Sequence, residues 1–401
     1  MARRSTSETV APRGPSRSTP GGLLGALGVS RIINGVGTTT LTGGSVLSPG
    51  VLAAMEEASQ VFLDMPELHR KAGAYVARML GVEGAYISSG ASAALVLSLT
   101  ACMTGGDLEK VRRVPRTEGM KNEVIVQAMH RNMYDRGIEL AGGRIVEVGT
   151  DERTTEREFR DAFTDRTAAV VYFVWDPQKG VLPLERVIAI AHERGVPVIT
   201  DGAAELPPVE NLTRYLRMGS DIALFSGGKD IGGPNDTGLL LGRKDLVDIC
   251  HRLGPHSYEV VDPKLNLYRR TIVFTGRPMK TSKEDVLGLI AALSEYLRVD
   301  HTKRIARFDE RAKRMARSLS GQTTARARRV WPGYGQPRPL SVPRLELEME
   351  TPRAAQALVA ELKRSDPPIY VTIIGKSVFV NPPCMAEAED ELVVSRLREI
   401  L

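Results

Sequence analysis

Cysteine is scarce in this chain. The three residues, Cys102, Cys250 and Cys384, are odd in number and far apart, so neither a disulfide framework nor a C-x-x-C metal pair is available. A reducing cytoplasm fits, and no metal is expected. Long apolar runs are missing too: no stretch of about 18 apolar residues occurs, which excludes a membrane-spanning helix. Residues 1–22 are rich in Ser, Thr, Arg, Pro and Gly but lack the apolar core of a secretory signal. Residues 1–24 therefore read as a disordered tail. No internal repeat is visible.

Aromatic residues are few, at 5%, and this bears on the charge. The net charge is +6, and basic residues cluster from Lys303 to Arg329: Lys303, Arg304, Arg307, Arg311, Lys313, Arg314, Arg317, Arg326, Arg328 and Arg329 stand against Asp309 and Glu310. Only Phe308 is interleaved as a platform for base stacking. A charge run alone specifies no partner, so this one reads as a solvated helix face plus a loop, and nucleic acid is not an expected partner.

What is present is an α/β texture. At 401 residues the chain is long enough for two domains. From about residue 45 to 270, helical periodicity at 49–62, 66–80, 91–103, 184–194 and 243–253 alternates with strand-like runs at 85–87, 124–126, 168–175, 196–200, 221–225 and 238–241. That alternation predicts a mainly parallel sheet. After residue 275 the texture changes to a long helical stretch over 283–319, a strand at 344–348, a helix at 353–364, strands at 369–373 and 377–380, and a final helix from Ala386. The expected division is a large domain over 25–274 and a smaller α+β domain over 275–401.

Chemistry concentrates at the strand ends, where ligands of open α/β sheets bind. Lys229 lies between glycines in Phe225-Ser226-Gly227-Gly228-Lys229-Asp230, just past a strand-like run, and Asp201 ends another such run. A lysine amine flanked by glycines, where backbone packs close to a flat ligand, can form a Schiff base with an aldehyde. An aspartate at a strand end can hold a pyridinium nitrogen protonated, so the pair points to pyridoxal 5'-phosphate (PLP). In Ser88-Ser89-Gly90-Ala91-Ser92, a strand meets a helix start, and the unpaired amides of Gly90, Ala91 and Ser92 with the Ser92 hydroxyl suit a phosphate. The competing reading there is ordinary N-capping by Ser89 or Ser92. Ser226 can add a hydroxyl to the same phosphate.

His130 follows the run Val124-Ile125-Val126 and is placed to lie over a cofactor ring or relay protons. Asp176 ends Tyr172-Phe173-Val174-Trp175-Asp176, where it contacts a ligand or starts a turn before Pro177. Arg277 sits at the expected domain junction and binds an anion or is a surface residue. The other histidines, His69, His192, His251, His256 and His301, read as packing or surface residues.

These pieces resemble the selenocysteine synthase-like family, the L-seryl-tRNA(Sec) selenium transferase group of fold-type-I PLP enzymes. The resemblance is carried by Arg31-Ile32-Ile33-Asn34-Gly35, Gly119-Met120-Lys121-Asn122-Glu123, His130-Arg131-Asn132, Asp201-Gly202-Ala203, Ser226-Gly227-Gly228-Lys229 and Gly276-Arg277-Pro278-Met279-Lys280, over roughly residues 30–300. The group is also similar to D-glucosaminate-6-phosphate ammonia-lyases and to carboxamide-forming amino-acid monooxygenase-decarboxylases of nucleoside-antibiotic pathways. It implies the aspartate-aminotransferase fold, a Schiff base at Lys229, Asp201 at the pyridine nitrogen, and phosphate contacts from Gly90, Ala91, Ser92 and Ser226. It further implies a homodimer or larger homo-oligomer with active sites near the interface.

Two departures shape the expected reaction. The selenium transferases carry a tRNA-binding domain before the Ile-Asn-Gly-like motif, whereas here a short tail precedes Arg31, so selenocysteine synthesis is not the expected activity. Many fold-type-I enzymes also place an arginine for the substrate carboxylate near the C-terminus, where this chain reads Val380-Asn381-Pro382-Pro383-Cys384-Met385. The carboxylate is held otherwise or is the group lost. The expectation is elimination at Cα of a small amino acid, of ammonia-lyase or dehydratase type; the alternative is oxidative decarboxylation of a β-hydroxy α-amino acid.

Overall fold

A computed structural model describes residues 21–174, 180–260, 271–321, 323–333 and 335–401. Asp176 and Trp175, and all of the tail before residue 21, lie outside the described residues. The strands are β1 (Ile33–Gly35), β2 (Gly84–Ser88), β3 (Glu123–Gln127), β4 (Arg144–Val148), β5 (Thr167–Phe173), β6 (Val198–Asp201), β7 (Ile222–Ser226), β8 (Gly238–Gly242), β9 (Tyr258–Val260), β10 (Thr271–Val273), β11 (Arg326–Val330), β12 (Arg344–Glu348), β13 (Ile369–Ile374) and β14 (Ser377–Val380).

The chain forms two units. The larger spans 38–305 together with 332–342, and the smaller takes 21–37, 306–331 and 343–401. These bounds differ from the expected cut at 274/275. The boundary falls within the helix His301–Leu319, and the residues up to Gly37 join the smaller unit because β1 pairs in parallel with β13, 336 residues away at Ile33–Ile369. The expected tail also runs into a short helix, Gly22–Ala26, none of whose residues is buried. Nor is the helical stretch 283–319 continuous. It divides into Lys283–Arg298 and His301–Leu319, because the Asp300 carboxylate accepts the Lys303 N–H at 3.0 Å and starts a new helix.

The larger unit is built on a seven-stranded sheet in the order β2-β8-β7-β6-β5-β3-β4. Every pairing is parallel except those of β8, which runs antiparallel to both β2 and β7. The apolar runs of β2, β3, β7 and β8 are continuous because both faces are covered, as in parallel sheets. Alternate side chains feed two cores: Ile125, Ala223, Phe225, Leu239 and Leu241 enter one, Val124, Val126, Ile222, Leu224 and Leu240 the other. The helix Ala91–Thr104 is apolar on nearly all sides and lies in the second core. Its Ser98, Thr100 and Thr104 hydroxyls donate to carbonyls four residues earlier at 2.7, 2.8 and 2.7 Å, so its buried polar atoms are satisfied.

The smaller unit is the expected α+β assembly, a sheet in the order β1-β13-β14-β12-β11 whose core takes Met315, Leu319, Leu358, Leu362, Val393 and Leu397 from its helices. The basic run is not a free face. Arg307 pairs with Glu387, Arg311 with Asp390 at 2.7 Å, Arg328 with Glu346 at 2.6 Å and Arg329 with Asp309 at 3.0 Å, while in the larger unit Arg304 meets Asp230 at 2.8 Å. Part of the expected loop is the strand β11. Apart from Asp309, the neutralising acids lie outside the run, which is why it reads as more basic than it is. Among the described residues, no helix is long and apolar enough to cross a membrane.

Candidate active site

The carboxyl ends of β2, β5, β6 and β7 line up along one edge of the large sheet. Register makes this explicit: Ser88 pairs with Gly238, Gly238 with Ser226, Leu224 with Asp201 and Asp201 with Phe173. At that edge a cavity of about 310 Å³ is lined by Ser89, Gly90, Ala91, Ser92, Asp201, Ser226 and Lys229, together with Thr40, Tyr134, Phe173, Glu205 and Arg338 among others. Of the nine residues given a possible ligand role from sequence, Gly90, Ala91, Ser92, Asp201, Ser226 and Lys229 are therefore brought to one place.

Lys229 is carried by the turn between β7 and β8. Gly227 N–H donates to Thr237 O at 2.8 Å, Gly233 N–H to Gly227 O at 2.9 Å and Gly232 N–H to Lys229 O at 3.0 Å. The glycines before the lysine serve this turn rather than a flat ligand. A Cβ on Gly228 would stand 2.4 Å from Asn235 Cα, and one on Gly227 2.1 Å from Thr237 Oγ1. Next to the lysine, Asp230 is held in a fork by Arg304 at 2.9 and 2.8 Å, which ties the turn to a helix. Burial lowers the proton affinity of the Lys229 amine, against the opposing charges of Asp201 and Glu205. Burial pushes the Asp201 carboxyl up, opposed by the Ala203 N–H at 2.9 Å and by Lys229.

The helix start carries no side-chain cap. Gly90 is the N-cap, at φ 89°, and neither serine caps the helix. The first-turn amides thus lack a side-chain partner, and the Ser88 hydroxyl instead donates to Gly90 O at 2.9 Å, which shapes the approach. Gly238 allows that approach: a Cβ there would lie 2.5 Å from the Gly90 carbonyl carbon and 2.7 Å from Ala91 N. An uncapped helix N-terminus, an amine of lowered proton affinity and an aspartate in one cavity fit the phosphate, aldehyde and pyridine nitrogen of PLP. No group of His, Cys, Asp and Glu among the described residues is arranged to hold a metal ion.

His130 does not line the cavity. The single turn Ala128–His130 that follows β3 directs its ring edge-on against Tyr172, centroids 4.5 Å apart, where it is 1% exposed. Both ring nitrogens lack partners, and burial lowers its pKa to about 4. The residue of that segment that does reach the cavity is Tyr134, on a turn organised by Asn132, whose side chain accepts the Tyr134 N–H at 2.8 Å and donates to His130 O at 2.8 Å. Arg277 is exposed and is not among the lining residues.

Arg338 went unnoticed in the sequence. It lies past the basic run in Gly335-Gln336-Pro337-Arg338-Pro339, with no periodicity or motif to mark it. It is the one arginine among the described lining residues, and its Nε donates to Glu205 Oε1 at 2.9 Å. Gly238, Thr40 and Tyr134 were likewise unmarked.

The aminotransferase class-V family profile matches residues 124–326. The chain is 33% identical to 5'-C-glycyluridine monooxygenase-decarboxylase of Streptomyces sp, over 94% of this chain and 91% of that protein. It is 30% identical to D-glucosaminate-6-phosphate ammonia lyase of Salmonella typhimurium (strain 14028s / SGSC 2262), over 93% and 96% of the two chains. A solved structure of D-glucosaminate-6-phosphate ammonia-lyase superposes with a TM-score of 0.78 at 28% identity, covering 95% of this chain and 98% of that one.

Proposed function

The chain belongs to the aminotransferase class-V family of PLP-dependent enzymes, and on that premise we propose that it cleaves a bond at Cα or Cβ of a small amino acid, by elimination of ammonia-lyase or dehydratase type. The observation that carries this is Lys229, an amine whose proton affinity burial lowers, in the same cavity as Asp201 and an uncapped helix start. Bound PLP supplies the electron sink for the broken bond.

The chain's own groups then have distinct tasks. The amides of Gly90, Ala91 and Ser92, with the Ser226 hydroxyl, hold the phosphate, and Asp201 keeps a proton on the pyridine nitrogen. Lys229, neutral once its proton is given up, takes the proton from the substrate Cα and can return it to a leaving group. His130 stays in the scheme only as a ring packed edge-on against Tyr172 outside the cavity, where burial disfavours its charged form, so no step is given to it.

A second reading is favoured by the 33% identity to the monooxygenase-decarboxylase: the Cα carboxylate leaves with consumption of oxygen. With either reading we propose a cytoplasmic homodimer or higher homo-oligomer. The full exposure of Leu41, Val46 and Phe62 supports self-association, and sedimentation as a monomer at micromolar concentration would remove it.

The deciding experiment uses PLP-reconstituted protein. Wild type shows a visible absorbance band that Lys229→Ala lacks, and the variant loses about a thousandfold or more in turnover. β-Hydroxy and β-amino α-amino acids, supplied with and without oxygen, give ammonia and a keto acid in both atmospheres. Oxygen uptake without ammonia moves the assignment to the decarboxylase reading, and a wild type with no visible band removes both.

A further inference from the structure

A second cavity lies in the larger unit, at the start of β2, and shares no lining residue with the first. Its volume is about 610 Å³, within the range of small-molecule sites. The floor is a layer of rings. His69 stacks on Tyr86 with centroids 5.6 Å apart and meets His256 at 4.8 Å, while His251 stands edge-on to Tyr86 at 4.9 Å. Local contacts fix these rings: His251 Nε2 donates to Ala85 O at 3.1 Å, and His69 Nε2 lies 3.2 Å from Thr281 Oγ1. Two buried nitrogens, His69 Nδ1 and His256 Nε2, are left without a hydrogen-bond partner among the described residues, and His69 is only 5% exposed. Bare polar atoms in a lined cavity are a place for a ligand.

The mouth differs in kind from the floor. Arg70, Lys71, Lys244 and Arg252 stand there, exposed, against Glu83 and Asp248. Lys244 pairs with Asp248 at 2.7 Å and Lys71 with Glu67 at 2.6 Å, but Arg70 makes no ion pair or hydrogen bond among the described residues. Its charge acts on His251, so the ring floor and an unclaimed guanidinium share one space.

Electrostatics sorts what each end accepts. Burial lowers the pKa of His69 to about 3 and lowers those of His251 and His256 as well, so the floor is uncharged at neutral pH. A neutral imidazole offers one donor and one acceptor, which suits the edge of a nitrogen heterocycle. A phosphate, with acceptors only, is served by the guanidinium at the mouth. We propose that this cavity is a second ligand site, for a planar nitrogen heterocycle that carries a phosphate. The ring extends the stack of His256, His69 and Tyr86, its edge meets His69 Nδ1 and His256 Nε2, and Arg70 holds the phosphate. Mononucleotides have this chemistry, and so do phosphorylated pyridines.

The test is calorimetric titration of PLP-reconstituted protein with AMP, UMP and pyridoxamine 5'-phosphate, each beside its unphosphorylated form and inorganic phosphate. At least one phosphorylated heterocycle binds with a Kd of about 100 μM or below, about tenfold or more tighter than either of its halves, and leaves the visible band unchanged. Tighter binding of AMP or UMP assigns a nucleotide site, and tighter binding of pyridoxamine 5'-phosphate a pyridine site. Arg70→Gln weakens the phosphorylated probe by about tenfold and moves its unphosphorylated form by less than about twofold. His69→Phe keeps the stack but removes the nitrogen, and weakens both forms by about fivefold. If that variant does not fold, His256→Phe carries the same expectation. No binding of any probe, phosphate alone binding as tightly as its heterocycle, a shifted visible band, or affinities untouched by these variants overturns the proposal. Binding is read as heat, so a protein without a visible band removes the PLP reading and leaves this one standing.

Discussion

Arg311 with Asp390 in the smaller unit, and Lys229 with Asp201 in the larger, each set a basic side chain within the field of a carboxylate, and they are built in opposite ways. Arg311 donates to both Asp390 oxygens at 2.9 and 2.7 Å and to the carbonyls of Met385 and Ala386 at 3.0 and 3.3 Å. Its Nε and Nη2 donors are engaged by its own chain. At the edge of the large sheet, Asp201 accepts one backbone N–H, the Lys229 proton affinity is lowered by burial, His130 has two bare nitrogens and the Gly90 helix is uncapped. The helix Lys283–Arg298, by contrast, opens with a complete capping box at Ser282 and Asp285. A saturated cluster holds a fold together, and an unsaturated one at a strand edge is kept for a ligand.

Breaking the saturated side has the largest expected effect on stability. Arg311→Met leaves Asp390 buried without its main partner and costs about 3–5 kcal/mol in urea unfolding, with little change in the cofactor band once the protein is folded. Equal loss of the band would erase the distinction between the regions.

The unsaturated side is exposed by acid. His130 has a folded pKa of about 4 against an ordinary value of 6.5. Its stabilising contribution is therefore complete above 6.5 and is lost as pH falls through that value toward 4, because the unfolded chain takes up a proton that the folded one refuses. In apoprotein, His130→Phe should recover about 2 kcal/mol of the stability lost between pH 7 and pH 5, measured by urea unfolding at each pH. An unchanged slope would assign the acid sensitivity elsewhere, for instance to His69, whose burial lowers its pKa to about 3.

Gly238→Ala sharpens the comparison at the helix start. The added methyl displaces Gly90 and Ala91, so PLP affinity falls by about tenfold while stability drops by about 1–3 kcal/mol; equilibrium dialysis reads the first and thermal unfolding the second. The smallest effect belongs to Ser282→Ala, which removes an ordinary cap and costs about 1 kcal/mol with no change in cofactor affinity.

Much of this contrast was legible in the sequence on its ligand side. Asp201, Lys229, Ser226 and the Gly90-Ala91-Ser92 run each sit directly after an apolar strand, so local pattern sufficed to place them at one sheet edge. Arg338 and Gly238 did not announce themselves, because their roles arise from contacts with Glu205, 133 residues away, and with Gly90. The pairing of Arg311 with Asp390, 79 residues apart, was invisible for the same reason, and it turned an apparent basic surface into an interior ion pair. His130 was placed at the correct strand end, but the turn that follows decides where its ring goes, and no side-chain pattern encodes that turn.

The reversed strand β8 has a consequence for how the site comes into being. Because β8 runs antiparallel to β7, no crossover separates them, and Ser226 pairs with Gly238 across a single turn that carries Lys229. Contacts so close along the chain close quickly, whereas the meeting of Arg338 with Glu205 must wait for everything between them. During synthesis the lysine turn can be shaped before residue 250 has left the ribosome, and the arginine arrives nearly a hundred residues later, so the order of assembly runs from the lysine turn to the fork between Arg338 and Glu205.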